Sequence, residues 1–455
     1  MVTVLERIKN MTEGKPAKLM ITFAAPLILA NFGQQLYMIV DAIIVGRGVG
    51  VEALAAVGAT DWSYWLALWV IQAMTQGFAI PISHYFGEKD HRKLRQAVAM
   101  SVWLCTITGI VMTVVFIIAA RPLLILLQTP DDIMDMASVY LLTMYGGIII
   151  VMAYNMAASV LRSLGDGKSP LIAIAIAAVT NIVLDLLFVF VFHWGILGAA
   201  VATVKAQLLA FIYSFRVIRK LDILRMEKDD WNLRKDIVCN QCRMGLPLAL
   251  QHILIAVGGM ILQSAINRHG FVFIAGFTAT NKVYGLLESS AVSLGYAVTT
   301  YTAQNYGAGL YSRIRKGLRS SATIAAVMSV AVSVVMIISG RPILELFIDS
   351  GSASAAETLD VAYHYLFIMS CLLPSLYLLY AFRNTLQGLG DSVTPLISGI
   401  MEFFARVSMA YLFTALWGDD LIFFAEPSAW ISAMVVLISV CVRTVRRLPT
   451  EDRSV

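Results

Sequence analysis

Long apolar runs, broken by short clusters of charge, set the pattern of this chain. Residues 19–40, 62–83, 96–120 and 136–161 contain no Asp, Glu, Lys, Arg or His. Each run can cross a hydrocarbon core, which takes about 20 residues as a helix. Breaking the chain at its charge and turn clusters predicts twelve segments: roughly 17–46, 53–83, 93–120, 132–160, 168–192, 195–218, 238–266, 271–302, 312–340, 356–385, 392–417 and 422–442. The expected fold class is all-α integral membrane, with twelve transmembrane helices.

Composition agrees. Of 455 residues, 59% are hydrophobic and 14% charged, against roughly 45–50% and about 25% in soluble domains. A soluble surface needs more polar cover than this. No n-region, h-region and cleavage site open the chain, so no removable signal is expected. Cys105, Cys239, Cys242, Cys371 and Cys441 lie in or beside apolar segments and read as small hydrophobes. Cys239 and Cys242 form a Cys-x-x-Cys, with no second pair or His cluster to complete a zinc site.

Charge sorts the two sides. Of 34 Lys and Arg, 27 fall in the N-terminus, the even-to-odd loops and the C-terminus. The other loops hold Arg47, Arg121, Arg268 and Arg341, and Lys205, Lys282 and Arg406 lie inside segments. This bias predicts a multi-pass protein of the cell membrane with both termini in the cytoplasm. The net charge of +5 then follows from topology, and no nucleic-acid partner is expected.

The two halves repeat at an offset near 220 residues. Ala24-Ala25-Pro26-Leu27 matches Gly245-Leu246-Pro247-Leu248, and Tyr85-Phe86-Gly87 matches Asn305-Tyr306-Gly307. Arg121-Pro122-Leu123-Leu124 matches Arg341-Pro342-Ile343-Leu344. Leu164-Gly165-Asp166 with Pro170 matches Leu389-Gly390-Asp391 with Pro395. An even number of segments per repeat makes the repeats parallel, a transporter architecture. The expected domains are an N-lobe over 1–219, a cytoplasmic linker over 220–236 and a C-lobe over 237–455. Alternating access then follows from one lobe rocking against the other.

These residues resemble the multidrug and toxic compound extrusion (MATE) transporters along nearly the whole chain. The ordered set is the Pro26 segment running into Asp41-Ala42-Ile43-Ile44-Val45-Gly46-Arg47, then Ala55-Ala56-Val57-Gly58 and Tyr85-Phe86-Gly87. Ala303-Gln304-Asn305-Tyr306-Gly307-Ala308-Gly309 and Leu386-Gln387-Gly388-Leu389-Gly390-Asp391 complete it. The resemblance implies export of drugs or amphipathic metabolites, driven by an inward H⁺ or Na⁺ gradient, with no cofactor. It is strongest to the DinF-like branch, whose N-lobe acids on segments one and five are matched by Asp41 and by Asn181-x-x-x-Asp185. NorM-like relatives use C-lobe carboxylates, including one on segment seven, where this chain has Gln251 and Gln263.

The residues alone lead to the same place. A charge at the bilayer centre costs about 2.5–3.5 kcal/mol on insertion scales, so it marks an interior or an ion path. Asn181 and Asp185 share a helix face. Asp185 and Thr203 each lie roughly 12 Å below the outer surface at 1.5 Å per residue, in a layer with Asp41. Asp41, Asn181, Asp185 and Thr203 are therefore the candidate cation site, able to hold Na⁺ or to share a proton. Pro26, in the same segment as Asp41, is the candidate hinge. The alternative is that the two acids cap polar contacts in a packed lobe.

Candidate substrate-cleft residues are Tyr37, Trp69, Lys205 and Lys282. Trp62 and Trp65 read as interfacial belt residues. Lys205 either faces a cleft or acts as counter-ion to Asp185. In the C-lobe, Glu288 stands on segment eight, and Glu402 and Arg406, four apart on segment eleven, are expected to pair. Gly167-Lys168-Ser169 fails the phosphate-loop pattern because Arg162 stands five before Gly167. No catalytic residues, metal site beyond Na⁺, or obligate protein partner is expected. Two other classes are a lipid-linked oligosaccharide flippase, which needs a large cationic cleft, and a polytopic membrane enzyme, which needs reactive side chains at one depth.

Overall fold

Within lipid a backbone has no water to bond to, and a helix pairs each N–H and C=O inside its own segment. The computed structural model, which describes residues 8–348 and 354–453, follows that rule: the described residues are helical almost throughout and include no strand. In the first repeat the helices are α1 (Pro16–Gly48), α2 (Val51–Gly87), α3 (His91–Leu126), α4 (Asp131–Gly146), α5 (Ile148–Ser163), α6 (Lys168–Asp185) and α7 (Gly195–Arg219). In the second they are α8 (Lys235–Ile266), α9 (Phe271–Gly307), α10 (Tyr311–Glu345), α11 (Ala355–Gly388), α12 (Val393–Val407), the single turn α13 (Thr414–Trp417) and α14 (Ala425–Arg447). Among the described residues ten helical stretches are long and apolar enough to cross a membrane, and the bent pair α4–α5 makes an eleventh. α9, 37 residues long, supplies the twelfth span, and falls short of the others only because it carries a row of polar residues.

Three predicted spans are not simple rods. Segment 132–160 is broken, with α4 and α5 meeting at 46°. The break falls at Gly146-Gly147, a usual place for a kink. Gly147 also lets α7 approach, since a Cβ there would lie 2.6 Å from Val204 Cγ2. α6 passes into a π turn at Leu186–Val191, and α12 does so at Ser408–Phe413.

The repeated Leu-Gly-Asp motif is a helix-to-helix corner. Gly165 and Gly390 have φ of 86° and 87°, a region L side chains avoid. The Asp that follows caps the next helix. Asp166 Oδ1 accepts from the Lys168 and Ser169 amides at 3.0 and 2.9 Å. Asp391 Oδ1 accepts from the Val393 and Thr394 amides at 3.0 and 2.9 Å.

The chain forms two compact units. One holds Ala25–Ala249 and the short run ending at Met11; the other holds Thr12–Ala24 and Leu250–Val455. The start of α8 therefore packs within the first unit. Gln241 Nε2 donates to Phe78 O and Ala97 O at 3.1 and 2.9 Å. Gly245 crosses Gly77 so closely that a Cβ on Gly77 would lie 2.5 Å from Gly245 Cα. Ahead of α8, Arg95 of α3 holds Asp230 at 2.7 Å and Glu227 at 3.2 Å. Small residues also let α5, α6 and α7 approach closely through Ala158, Ala173, Ala177, Ala206 and Ala210, the usual packing of helices in lipid. Their contact fixes the relative height of α6 and α7, which carry three of the four candidate cation ligands.

Candidate functional site

The four candidate cation ligands meet inside the first unit. Asp185 is the last residue of α6 before its π turn, fully buried, and Asn181 is 1% exposed one turn earlier. π turns recur at functional sites because they re-aim side chains within a helix. Asp41 of α1 lies against Asp185, the two carboxyls within hydrogen-bond reach of each other. Asn181 Nδ2 donates to Thr203 Oγ1 at 3.2 Å, and Thr203 Oγ1 donates to Ala199 O at 3.1 Å. That leaves Asp41 Oδ1, Asn181 Oδ1 and both Asp185 oxygens buried with no hydrogen-bond donor among the described residues.

Two facing carboxylates have only acceptors to offer each other. A proton or a cation between them is what makes the arrangement stable, and an oxygen set of this kind suits either. Tyrosines surround the pair: Tyr37 stands close to both acids and to Tyr154, and Tyr140 of α4 stands close to Asp41, Tyr64 and Asp61.

Of the cleft candidates, Tyr37, beside the pair, is part-exposed, and so is Trp69, whose ring centroid is 6.3 Å from that of Trp65. Lys282 is exposed on α9. Lys205 is exposed on α7 beside Leu208 and Leu209, with its ammonium 4.9 Å from the Phe188 ring centroid. No ion pair joins Lys205 to Asp185 among the described residues.

One expected pair is corrected. Glu402 and Arg406 do not bind each other: Glu402 pairs with Arg383 of α11, and Arg406 with Glu426 of α14 at 2.8 Å. Spacing along one helix named the right two residues, but neighbouring helices offer each a better-placed partner. Glu288 is held by neutral groups, accepting from Tyr380 Oη at 3.0 Å. Asp61, exposed on α2, and Arg383, 5% exposed inside α11, are not singled out by the sequence pattern. Asp61 sits within predicted segment 53–83 but immediately before its uncharged run. Arg383 sits near the end of segment 356–385 and so reads as a loop cation.

The MatE family matches residues 26–187 and 247–412, one stretch in each repeat. The chain belongs to the MatE family. It is a multi-pass membrane transporter of that family, with two six-helix repeats. A probable multidrug resistance protein of Bacillus subtilis, YpnP, is 29% identical over 90% of both chains. A second from the same organism, YoeA, is 26% identical over 81% of both. A MATE solved in a bent conformation superimposes with a TM-score of 0.89 at 21% identity, covering 98% of both chains, and one in a straight conformation gives 0.86. Against this MatE frame the second repeat has no acid pair at the positions that correspond to Asn181 and Asp185. By the Leu-Gly-Asp register, Asn181 and Asp185 correspond to Arg406 and Ala410, and Arg406 is ion-paired. On α8, Gln251 is fully buried.

Proposed function

We propose that this protein is a secondary exporter of drugs or amphipathic small metabolites, coupled to inward H⁺ or Na⁺ movement through the Asp41–Asp185 pair. The observation that carries it is the contact of Asp41 with the fully buried Asp185, where Asp41 Oδ1 and both Asp185 oxygens have no donor among the described residues. Asn181 and Thr203 complete the oxygen set. A cation entering this pocket removes the repulsion between α1 and α6, and its departure restores it. Pro26, on the same helix as Asp41, is the hinge through which occupancy alters the path of α1. Cargo crosses by alternating access, with Tyr37, Trp69, Lys205 and Lys282 as cleft contacts and both termini in the cytoplasm. The drug-resistance names of the B. subtilis relatives support drugs as cargo.

The test is counterflow in proteoliposomes with a proton gradient and a sodium gradient imposed separately. A fluorescent drug should leave the vesicles against its own gradient under at least one of them. Movement under neither, with the drug bound normally, sinks the exporter reading.

A further inference from the structure

α2 and α9 hold the same place in the two repeats. Val51–Gly87 and Phe271–Gly307 are each 37 residues long, so every α9 position is its α2 counterpart plus 220. Both helices leave the same face uncovered, and that face is polar where lipid would call for Leu, Ile or Val. On α9 it presents Thr278 and Lys282, exposed, with Asn281, Gly285 and Ser289 part-exposed. On α2 it presents Asp61, exposed, then Trp65, Trp69 and Gln72, part-exposed. Asp61 lies about 15 Å along α2 from its Val51 end. A carboxylate at that depth faces water, because facing lipid costs several kcal/mol.

We propose that Asp61, Trp65 and Trp69 form the surface that determines cargo specificity, by holding a ring-bearing organic cation. The three are spaced i, i+4, i+8 and so share one helix face. The two indoles stand 6.3 Å apart and tilted by 53°, both part-exposed. A carboxylate one turn away from an indole draws a cation by charge, and the indole face draws it by its quadrupole. The α9 counterparts are Asn281, Gly285 and Ser289, which carry neither charge nor ring, so recognition of this kind belongs to the first repeat alone.

The surface is linked to the cation pair. Tyr140, buried on α4, stands within electrostatic reach of Asp61 and of Asp41. That this surface serves export rests on the exporter reading above; the binding surface itself does not.

Ethidium binding to the full-length protein in nanodiscs, followed by fluorescence anisotropy, tests the surface without any transport. Asp61→Asn should weaken binding about tenfold, some 1.4 kcal/mol, and Asp61→Glu should restore most of it. Trp65→Leu with Trp69→Leu should weaken binding comparably, while Trp65→Phe with Trp69→Phe keeps it. Wild-type affinity in Asp61→Asn, an Asp61→Glu as weak as Asp61→Asn, or a wild type that does not bind ethidium overturns the proposal. If these binding losses appear and yet no ion gradient moves ethidium from vesicles, the surface stands and the exporter reading falls.

Discussion

Asp41 and Asp185 turn oxygens toward each other inside a packed bundle, and the chemistry of that contact has a signed consequence for stability. The amide introduced by Asp41→Asn brings an N–H donor to oxygens that have none. Asp41→Asn should therefore keep or raise the melting temperature in detergent while abolishing gradient-driven export. A fall in melting temperature together with retained export would contradict both halves. In the second repeat the expectation runs the other way. Arg383→Met strands Glu402, itself 4% exposed, and should cost about 3–5 kcal/mol. Adding Glu402→Met should return most of that. If the double variant is no more stable than Arg383→Met, the pair is not what holds these side chains. These residues also mark what the sequence revealed. Asp41 and Asp185 were legible because a carboxylate inside an apolar run has few reasons to be there. The partners of Glu402 and Arg406 were not, because they come from α11 and α14, and spacing along α12 carries no information about them.

Helices were legible as elements and their breaks only in part. Runs of uncharged residues locate a span without reference to its neighbours. The 46° bend between α4 and α5 depends on Gly147 admitting Val204, which is a fact about α7. The two π turns leave no mark in hydropathy, since an extra residue in a turn changes no side chain. The corner motif was visible as a repeat before its function was: a glycine in the left-handed region, then an aspartate accepting the first amides of the following helix. Both corners share the left-handed glycine and the two capped amides, and Asp391 Oδ2 also accepts from Thr394 Oγ1 at 2.6 Å, so the second corner should cost at least as much to remove as the first. Asp166→Ala and Asp391→Ala should each destabilise by about 1 kcal/mol, read as a shift in detergent unfolding. A large loss at one corner and none at the other would show that the repeats do not share this device.

At the scale of the molecule, the repeat predicted two halves. The described units divide within helices, beside the repeated prolines. α1 passes from the second unit to the first between Ala24 and Ala25, next to Pro26, and α8 passes from the first to the second between Ala249 and Leu250, just after Pro247. A proline inside a helix removes one backbone hydrogen bond and clashes with the preceding turn, so each helix is weakest against bending close to its crossing point. If the units rock during transport, these two points take up the rotation. Pro26→Ala restores the missing bond and stiffens α1, and Pro247→Ala does the same for α8. Each should lower the turnover rate severalfold while leaving cargo affinity within a factor of about two, because neither proline belongs to the Asp61 surface or the Asp41 pair. Tritiated-drug binding alongside gradient-driven efflux separates the two quantities. An equal loss in affinity and rate would place the prolines in packing rather than in motion, and no loss in either would leave the rotation to some other element.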